Sequence, residues 1–390
     1  MTRPRALVLD SGRTRGALAA VRALARAGWD VGVASASPAP SLLSRHTSFR
    51  HPIAQPVLDP DRFVKCVRTA VAARGYEVVL PSADAEMVTL SERRGEVDSV
   101  VPYPPHETVM RALDKLELHR AAQAVGLPSP PTEESSARGP AKWETPLIVK
   151  PRLHSTSDSD PERSRLKTHR AQDESEVSSA TAEIRSADGV PVLQELTEGR
   201  LMAVAVVADR GGRLVTAVQQ VASEVFPPRV GISARAETVA LDPELESGIA
   251  RLLGELEWFG IAQLQFMNPE QPKLIDFNGR LFGSLALPVA AGANLPAIWA
   301  ALATGRELPA DRQAQVGRRY QWLEGDVRRA LRVRDGGLVA DLSATARYSI
   351  GSTGSVWRLK DPAPALSILA DAPLRASRRA AARLHRRTPR

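Results

Sequence analysis

The sequence predicts an α/β leading unit followed by α+β units. Three observations predict this mixed class. A strand, a helix and a second strand open the chain, the βαβ pattern of a parallel sheet. Two later pairs of apolar runs, each joined by a turn-rich loop, read as antiparallel hairpins. The length of 390 residues is too great for one ordinary domain and suggests two or three.

The elements follow in order. Ala6 to Leu9 is a short apolar strand, turned by Asp10-Ser11-Gly12. From Gly16 to Ala27 the positions Ala17, Leu18, Val21 and Leu24 recur at helical spacing, and Gly28 fits the residue just past the helix end. Val31 to Ala34 and Glu77 to Leu80 are further strands, the latter followed by Pro81-Ser82-Ala83-Asp84. A turn-rich connection, VPYPPHET, begins near residue 101. Asp114 and Glu117 have capping-box spacing, so a helix starts with Lys115 in its first turn and ends at Val125-Gly126. Pro128, Pro130 and Pro131 mark a linker.

Leu147 to Val149 is a strand leading into Lys150-Pro151. Residues 152–164 are polar, the composition of a mobile loop. Asp173 to Ala187 reads as a polar helix, and Val190 to Leu193 as a strand ending in Gln194-Glu195. Leu201 to Ala208 and Leu214 to Val221 form a hairpin about Asp209-Arg210-Gly211-Gly212. Pro243 to Leu256 is a helix. Ile261 to Phe266 and Lys273 to Phe277 form the second hairpin, and Ala286 to Thr304 is helical in part. After about residue 315 the patterning weakens, and no internal repeat is found.

Composition narrows the function classes. Apolar residues at 43% and charged residues at 25% are the balance of a globular chain, with a core resting on Ala, Val and Leu because aromatics are only 4%. The single cysteine, Cys66, excludes an intrachain disulfide and a cysteine-cluster metal site. The seven histidines have no metal-ligand spacing. No apolar run approaches the roughly 18 residues of a membrane span, and the N-terminal stretch is not a signal peptide, so the expected compartment is the cytoplasm. The net charge of +8 is uneven: Asp371 to Arg390 hold seven Arg and one Asp, a charge of +6, which leaves +2 for the rest. That argues against specific nucleic-acid binding by the whole chain. The Arg-rich tail reads either as a weak electrostatic contact for anionic membranes or nucleic acid, or as a solvated end. Lysines number seven against 45 arginines, so a lysine at a motif position carries weight.

Four stretches carry candidate chemistry. In LIDFNGRLFGS, Asp276 and Asn278 leave the same face of a strand, and an antiparallel partner places Gln265 opposite Asp276. Oxygen donors of this kind suit a hard cation such as Mg²⁺. Arg280 follows, suited to a carboxylate or a transferring phosphoryl group. The plain alternative is a solvated hairpin end. Lys150 ends a buried strand and suits a phosphate; its alternative is an edge lysine snorkelling to water. Lys115, at a helix start, suits a second anion contact or is a surface lysine beside Asp114 and Glu117. In VLQELTEG, a strand breaking into exposed backbone offers N–H and C=O groups to an adenine edge.

The order of these motifs resembles the ATP-grasp superfamily, and most of all its carboxylate–amine ligases related to carbamoyl-phosphate synthetase and D-alanine–D-alanine ligase. The resemblance covers about residues 5–305, and FNGRLFGSLALPVAAGANLP is similar to the ending of the family's site. It implies a Rossmann-like leading domain at 1–105, two α+β ATP-grasp subdomains at 106–195 and 196–312, and a C-terminal extension at 313–390. It also implies that Lys115 and Lys150 contact ATP phosphates, that Glu195 and Leu196 form the adenine hinge, that Asp276, Asn278 and Gln265 hold Mg²⁺, and that Arg280 steadies an acyl-phosphate. The substrates implied are a small carboxylate, such as an amino acid, and an amine. Three features depart from the family's pattern. Gln265 and Asp276 stand where Glu is common. No glycine follows Lys150 in RLHSTSDSDPERSRLK. Met202 replaces a glutamate common at the ribose.

Other readings stay open. A degenerate ATP binder fits Gln265 and the glycine-free loop. A nicotinamide-dependent dehydrogenase is suggested by Gly12-x-x-x-Gly16, against which Ser35 stands where an acidic residue is wanted. Gln220, Glu224, Arg229 and Ser233 are candidates for the acceptor side by their position after the first hairpin.

Overall fold

The computed structural model describes residues 3–11, 14–135, 144–153, 166–310 and 312–370. Its opening is the expected parallel unit. Strands β1 (Arg5–Leu9), β2 (Asp30–Ser35), β3 (Phe49–Pro52) and β4 (Val78–Leu80) form a sheet in the order β3-β2-β1-β4, every neighbouring pair parallel. Helices α1 (Arg15–Arg26), α2 (Pro60–Arg74) and α3 (Asp84–Glu92) connect and follow the strands. Thr14 caps α1 by accepting from the Ala17 amide, and Gly28 at φ 87° lies just past its end, as its sequence position suggested.

The second unit begins with α4 (His106–Leu113) and α5 (Lys115–Ala124). Asp114 caps α5 from the amides of Leu116 and Glu117, but the expected reciprocal arm is not formed; Glu117 instead pairs with Arg120 one turn on. Strands β5 (Thr132–Glu134), β6 (Leu147–Pro151), β7 (His169–Ala171) and β8 (Pro191–Glu195) make an antiparallel sheet in the order β5-β8-β6-β7, backed by α6 (Glu174–Arg185). This sheet has its own small core of Val149, Ala171, Ala180, Ile184 and Leu193. Most of the polar run expected to be a mobile loop, from residue 154 on, lies outside the described residues.

The third sheet has seven strands: β9 (Leu201–Ala208), β10 (Leu214–Phe226), β11 (Ile232–Thr238), β12 (Gly260–Met267), β13 (Lys273–Asn278), β14 (Arg319–Gln321) and β15 (Thr353–Gly354). Their order is β13-β12-β9-β10-β11-β14-β15, antiparallel except for the last pair. Helices α7 (Pro243–Glu255), α8 (Ala286–Ala290), α9 (Leu295–Ala303), α10 (Leu323–Val333) and α11 (Leu338–Ser349) accompany it. The sheet shares one apolar core with the leading unit, running from Val8 and Leu24 through Val206 and Leu264 to Trp299. The expected first hairpin is present, with its second strand five residues longer than its apolar pattern because β10 pairs onward with β11. Where the patterning weakened after residue 315, β14 and β15 extend this sheet. No helix among the described residues is long and apolar enough to cross a membrane.

Candidate functional site

Three local structures bring the candidate residues together. The first is the end of β6. Strand β6 is interior, between β8 and β7, so Lys150 is no edge lysine; it is buried at 5% exposure. Its Nζ donates to Gln194 Oε1 at 3.0 Å and to the Ile275 carbonyl at 2.8 Å. Gln194 is fixed in turn by donating to Thr132 Oγ1 at 2.8 Å. The second is the start of α5, where the Lys115 amide donates to the Arg152 carbonyl at 3.0 Å and Arg152 pairs with Asp114 at 2.7 Å. These contacts hold the exit of β6 against the first turn of α5 and so set the two lysines side by side.

The third is the β12–β13 hairpin. Its register places Gln265 opposite Asp276 and Gln263 opposite Asn278, as the loop length required. Between the Gln265–Asp276 and Phe266–Leu274 pairs the register shifts, and Ile275 has no cross-strand partner. Such a bulge leaves backbone groups outside the ladder, and here the Ile275 carbonyl receives Lys150. Lys115 Nζ donates to Asp276 Oδ1. Arg280 donates to Asn278 Oδ1 at 3.1 Å and, through Nε, to Asp84 Oδ1 at 2.9 Å.

Asp84 comes from the leading unit. In open parallel sheets, ligands bind beyond the carboxyl ends of the strands, where the strand order reverses. That place lies between β1 and β4, and here the loop after β13 fills it. The Leu281 amide faces the Pro81 carbonyl at 3.4 Å, and a Cβ on Gly16 would lie 2.7 Å from the Phe282 carbonyl. Gly16 therefore serves close packing. Ser35 is likewise engaged, donating to the Asp10 and Ser37 carbonyls. Buried Glu86 shapes the β4–α3 turn by accepting from the amides of Ser11, Ser82 and Ala83 at 2.6–3.0 Å.

The electrostatics follow from burial. Lys150 is pushed down to about 7, first by burial and then by Lys115, with Asp276 opposing. Burial opposes the charge of Arg280 too, but Asp84 and Asp276 outweigh it and hold that guanidinium above its ordinary value. The site is thus rich in cations, with Lys115, Lys150 and Arg280 around Asp276 and Asp84, and it suits an anion. For a divalent metal the donors are Asp276, Asn278 and Gln265, one carboxylate and two neutral amides. Among the described residues no group of three His, Cys, Asp or Glu is arranged for a metal. The donor set fits a hard cation only beside an anionic ligand that completes its charge and coordination.

Glu195 and Leu196 lie at the end of β8, half-buried, next to Gln194 and hence one strand from Lys150. Of the acceptor-side candidates, Gln220 reaches the site, donating to Ser284 Oγ at 2.9 Å, which Gln263 also meets at 3.0 Å. Glu224 instead lies 3.5 Å from Arg329, Ser233 pairs across from Val225, and Arg229 sits at the hairpin tip with φ 73°. Gln194 and Asp84 escape notice as site residues in the sequence. Their signals are a glutamine beside the proposed hinge and an acid at a helix start after a buried strand.

Solved structures share this architecture. An L-amino acid ligase from Bacillus licheniformis matches with a TM-score of 0.60 at 15% identity, over 78% of this chain and 75% of that one. Residues 190–326 match a family described as ATP-grasp in the biosynthetic pathway with Ter operon. This is the ATP-grasp fold. Further structures that resemble it include biotin carboxylase from Campylobacter jejuni, with a TM-score of 0.62 at 15% identity over 82% and 74%. An N5-carboxyaminoimidazole synthetase from Staphylococcus aureus complexed with ADP matches with 0.58 at 12% over 81% and 80%. No match to the chain was found among curated proteins. In this fold Lys115 meets Asp276 and Lys150 meets the Ile275 carbonyl, on the same strand as Asn278.

Proposed function

We propose that this ATP-grasp chain is an ATP-dependent carboxylate–amine ligase, acting on an amino acid or another small carboxylic acid. The observation that carries the reading is the convergence of Lys115, Lys150, Asp276, Asn278 and Arg280 from α5, β6, β13 and the loop after it. Lys115 and Lys150 hold the phosphates of ATP, and the backbone at Glu195 and Leu196 holds the adenine. Asp276, Asn278 and Gln265 would hold Mg²⁺, which would supply neutralisation of the phosphate charge. Lys115 Nζ donates to Asp276 Oδ1, so phosphate oxygens would compete with this carboxylate for the Lys115 ammonium.

Arg280 is held on two sides, by Asn278 and Asp84. It orients the carboxylate and stabilises the charge that develops as the carboxylate oxygen attacks the γ-phosphorus and ADP leaves. An amine then displaces phosphate from the acyl carbon, giving an amide and losing a proton to solvent. Catalysis of this kind is positioning plus charge neutralisation.

A second reading, an ATP binder without turnover, is favoured by the single carboxylate among the three metal donors. One experiment separates the two. The protein is incubated with ATP, Mg²⁺ and pooled amino acids while ADP, phosphate and product mass are followed. ADP release with a product equal to acid plus amine minus water supports the ligase. Nucleotide binding with no ADP release under any pool supports the second reading and refutes the first.

A further inference from the structure

Arg22, Arg235, Arg280 and Arg329 are largely enclosed, and each meets a carboxylate. Arg22 of α1 is clasped by Asp361 at 2.8 Å, both side chains 3% exposed, where the chain returns to the leading unit after β15. Arg280 has Asp84, and Arg235 and Arg329 share Asp326 at 2.7 and 3.0 Å. Arg15, the first residue of α1, differs. It is half-buried, and among the described residues no carboxylate pairs with it. Its guanidinium carbon lies 4.1 Å from the centre of the Trp322 ring, and Nη1 donates to the Tyr320 hydroxyl at 2.8 Å. Tyr320 is fully buried, and burial pushes its phenol up, against the pull of Arg15. The phenol therefore stays neutral and leaves the arginine's charge uncompensated.

This cation faces the loop that follows Arg280. A Cβ on Gly283 would lie 2.8 Å from Arg15 Nη2, and the Tyr320 hydroxyl donates to the Gly283 carbonyl at 3.0 Å. The next residue, Ser284, is fixed by the side-chain amides of Gln220 and Gln263. Tyr320 belongs to β14, and β12, β9, β10 and β11 lie between that strand and β13. Arg15 thus adjoins the Arg280 loop from across the sheet, on the side away from the strand that meets Lys115 and Lys150. In a ligase the phosphates fill the lysine side, and the amine reaches the acyl carbon from the other. A guanidinium stacked on an indole still presents its in-plane N–H groups to an acceptor. One guanidinium matches the single charge of a carboxylate, whereas a phosphate dianion would leave charge uncovered.

Resting on the ligase reading, we propose that Arg15 binds the carboxylate of the amine substrate, which makes that substrate an amino acid with a free carboxyl group. Trp322 and Tyr320 hold the guanidinium in place for it. The test is calorimetric titration of the full chain, with and without Mg²⁺ and a non-hydrolysable ATP analogue. The titrants are a panel of L- and D-amino acids, then the carboxamide of each one that binds. At least one amino acid is expected to bind, and its carboxamide about tenfold to a hundredfold more weakly. Arg15→Gln should weaken the acid by that factor and abolish the difference between acid and amide. Arg15→Lys, which keeps the charge without the planar fork, should retain part of the difference. An arginine with a structural role alone would weaken both forms alike, and an amino acid held at Arg280 would keep its preference in Arg15→Gln. Absence of binding by any amino acid overturns the proposal, as does an acid-to-amide ratio that survives in Arg15→Gln. Turnover separates this outcome from that of the ligase. ADP release with amides accepted as well as acids keeps the ligase and removes Arg15 from its acceptor side. Arg15-dependent discrimination without ADP release keeps the carboxylate site and removes the ligase.

Discussion

Lys150 is a buried cation whose surroundings disfavour its charge, and replacing it by Met tests whether that charge exists to meet phosphate. Its folded value of about 7, against an ordinary 10.5, fixes the size of the effect. Below pH 7 the lysine is protonated in both folded and unfolded chains, and the folded chain carries the full penalty, about 5 kcal/mol at 1.36 kcal/mol per pH unit. As pH rises from 7 toward 10.5 the unfolded chain keeps the proton that the folded chain has lost, so folded stability rises. Between pH 6 and pH 9 the parent should gain about 2–3 kcal/mol from this group alone. Lys150→Met lacks that slope, at a cost of about 1–3 kcal/mol for each of the two acceptors, Gln194 Oε1 and the Ile275 carbonyl, left unmet. Denaturant unfolding of both proteins at several pH values measures the difference. The variant should compare best with the parent at pH 6 and worst at pH 9, and ATP should stabilise it far less. A parent–variant difference that stays constant with pH would refute the reasoning.

Three further perturbations probe the neighbouring contacts. Asp84→Asn leaves Arg280 without its strong partner and should destabilise the protein by about 3 kcal/mol, read in a chemical melt. In the turnover assay it should lower kcat more than it changes the apparent ATP affinity. Gln265→Glu adds a second carboxylate opposite Asp276 and should lower the Mg²⁺ concentration needed for half-maximal nucleotide stabilisation, followed by thermal shift at fixed ATP. Gly16→Ala puts a Cβ at 2.7 Å from the Phe282 carbonyl, which must move. A loss of about 1–3 kcal/mol is expected, and an unchanged melting temperature would show that the loop does not rest on α1.

Much of this was legible in the sequence because the signals are local. The Asp114 cap and the Gly126 stop frame α5 within a dozen residues, and a short loop can bring Gln265 opposite Asp276. Lys150 announced itself as a rare lysine at the end of an apolar run. What stayed hidden depends on tertiary partners. Asp84 meets Arg280 across 196 positions of chain, and nothing around Asp84 distinguishes it from an ordinary helix-start acid. The bulge at Ile275 is invisible because an apolar residue there looks like any strand residue. Strands β14 and β15, of three and two residues, are held by pairing with a sheet already formed, so their own sequences carry little strand preference.

The clasp of Asp361 on Arg22 spans 339 positions, which has a consequence for synthesis on the ribosome. Helix α1 is made long before the carboxylate that neutralises its enclosed guanidinium. At elongation rates of about 5–20 residues per second the nascent leading domain waits roughly 17–68 s for that partner. Until then Arg22 must stay hydrated or bear an uncompensated charge costing about 3–5 kcal/mol. The leading unit therefore reaches full stability only after Asp361 has been made, and a message cut short before the codon for Asp361 yields a leading unit that is poorly closed.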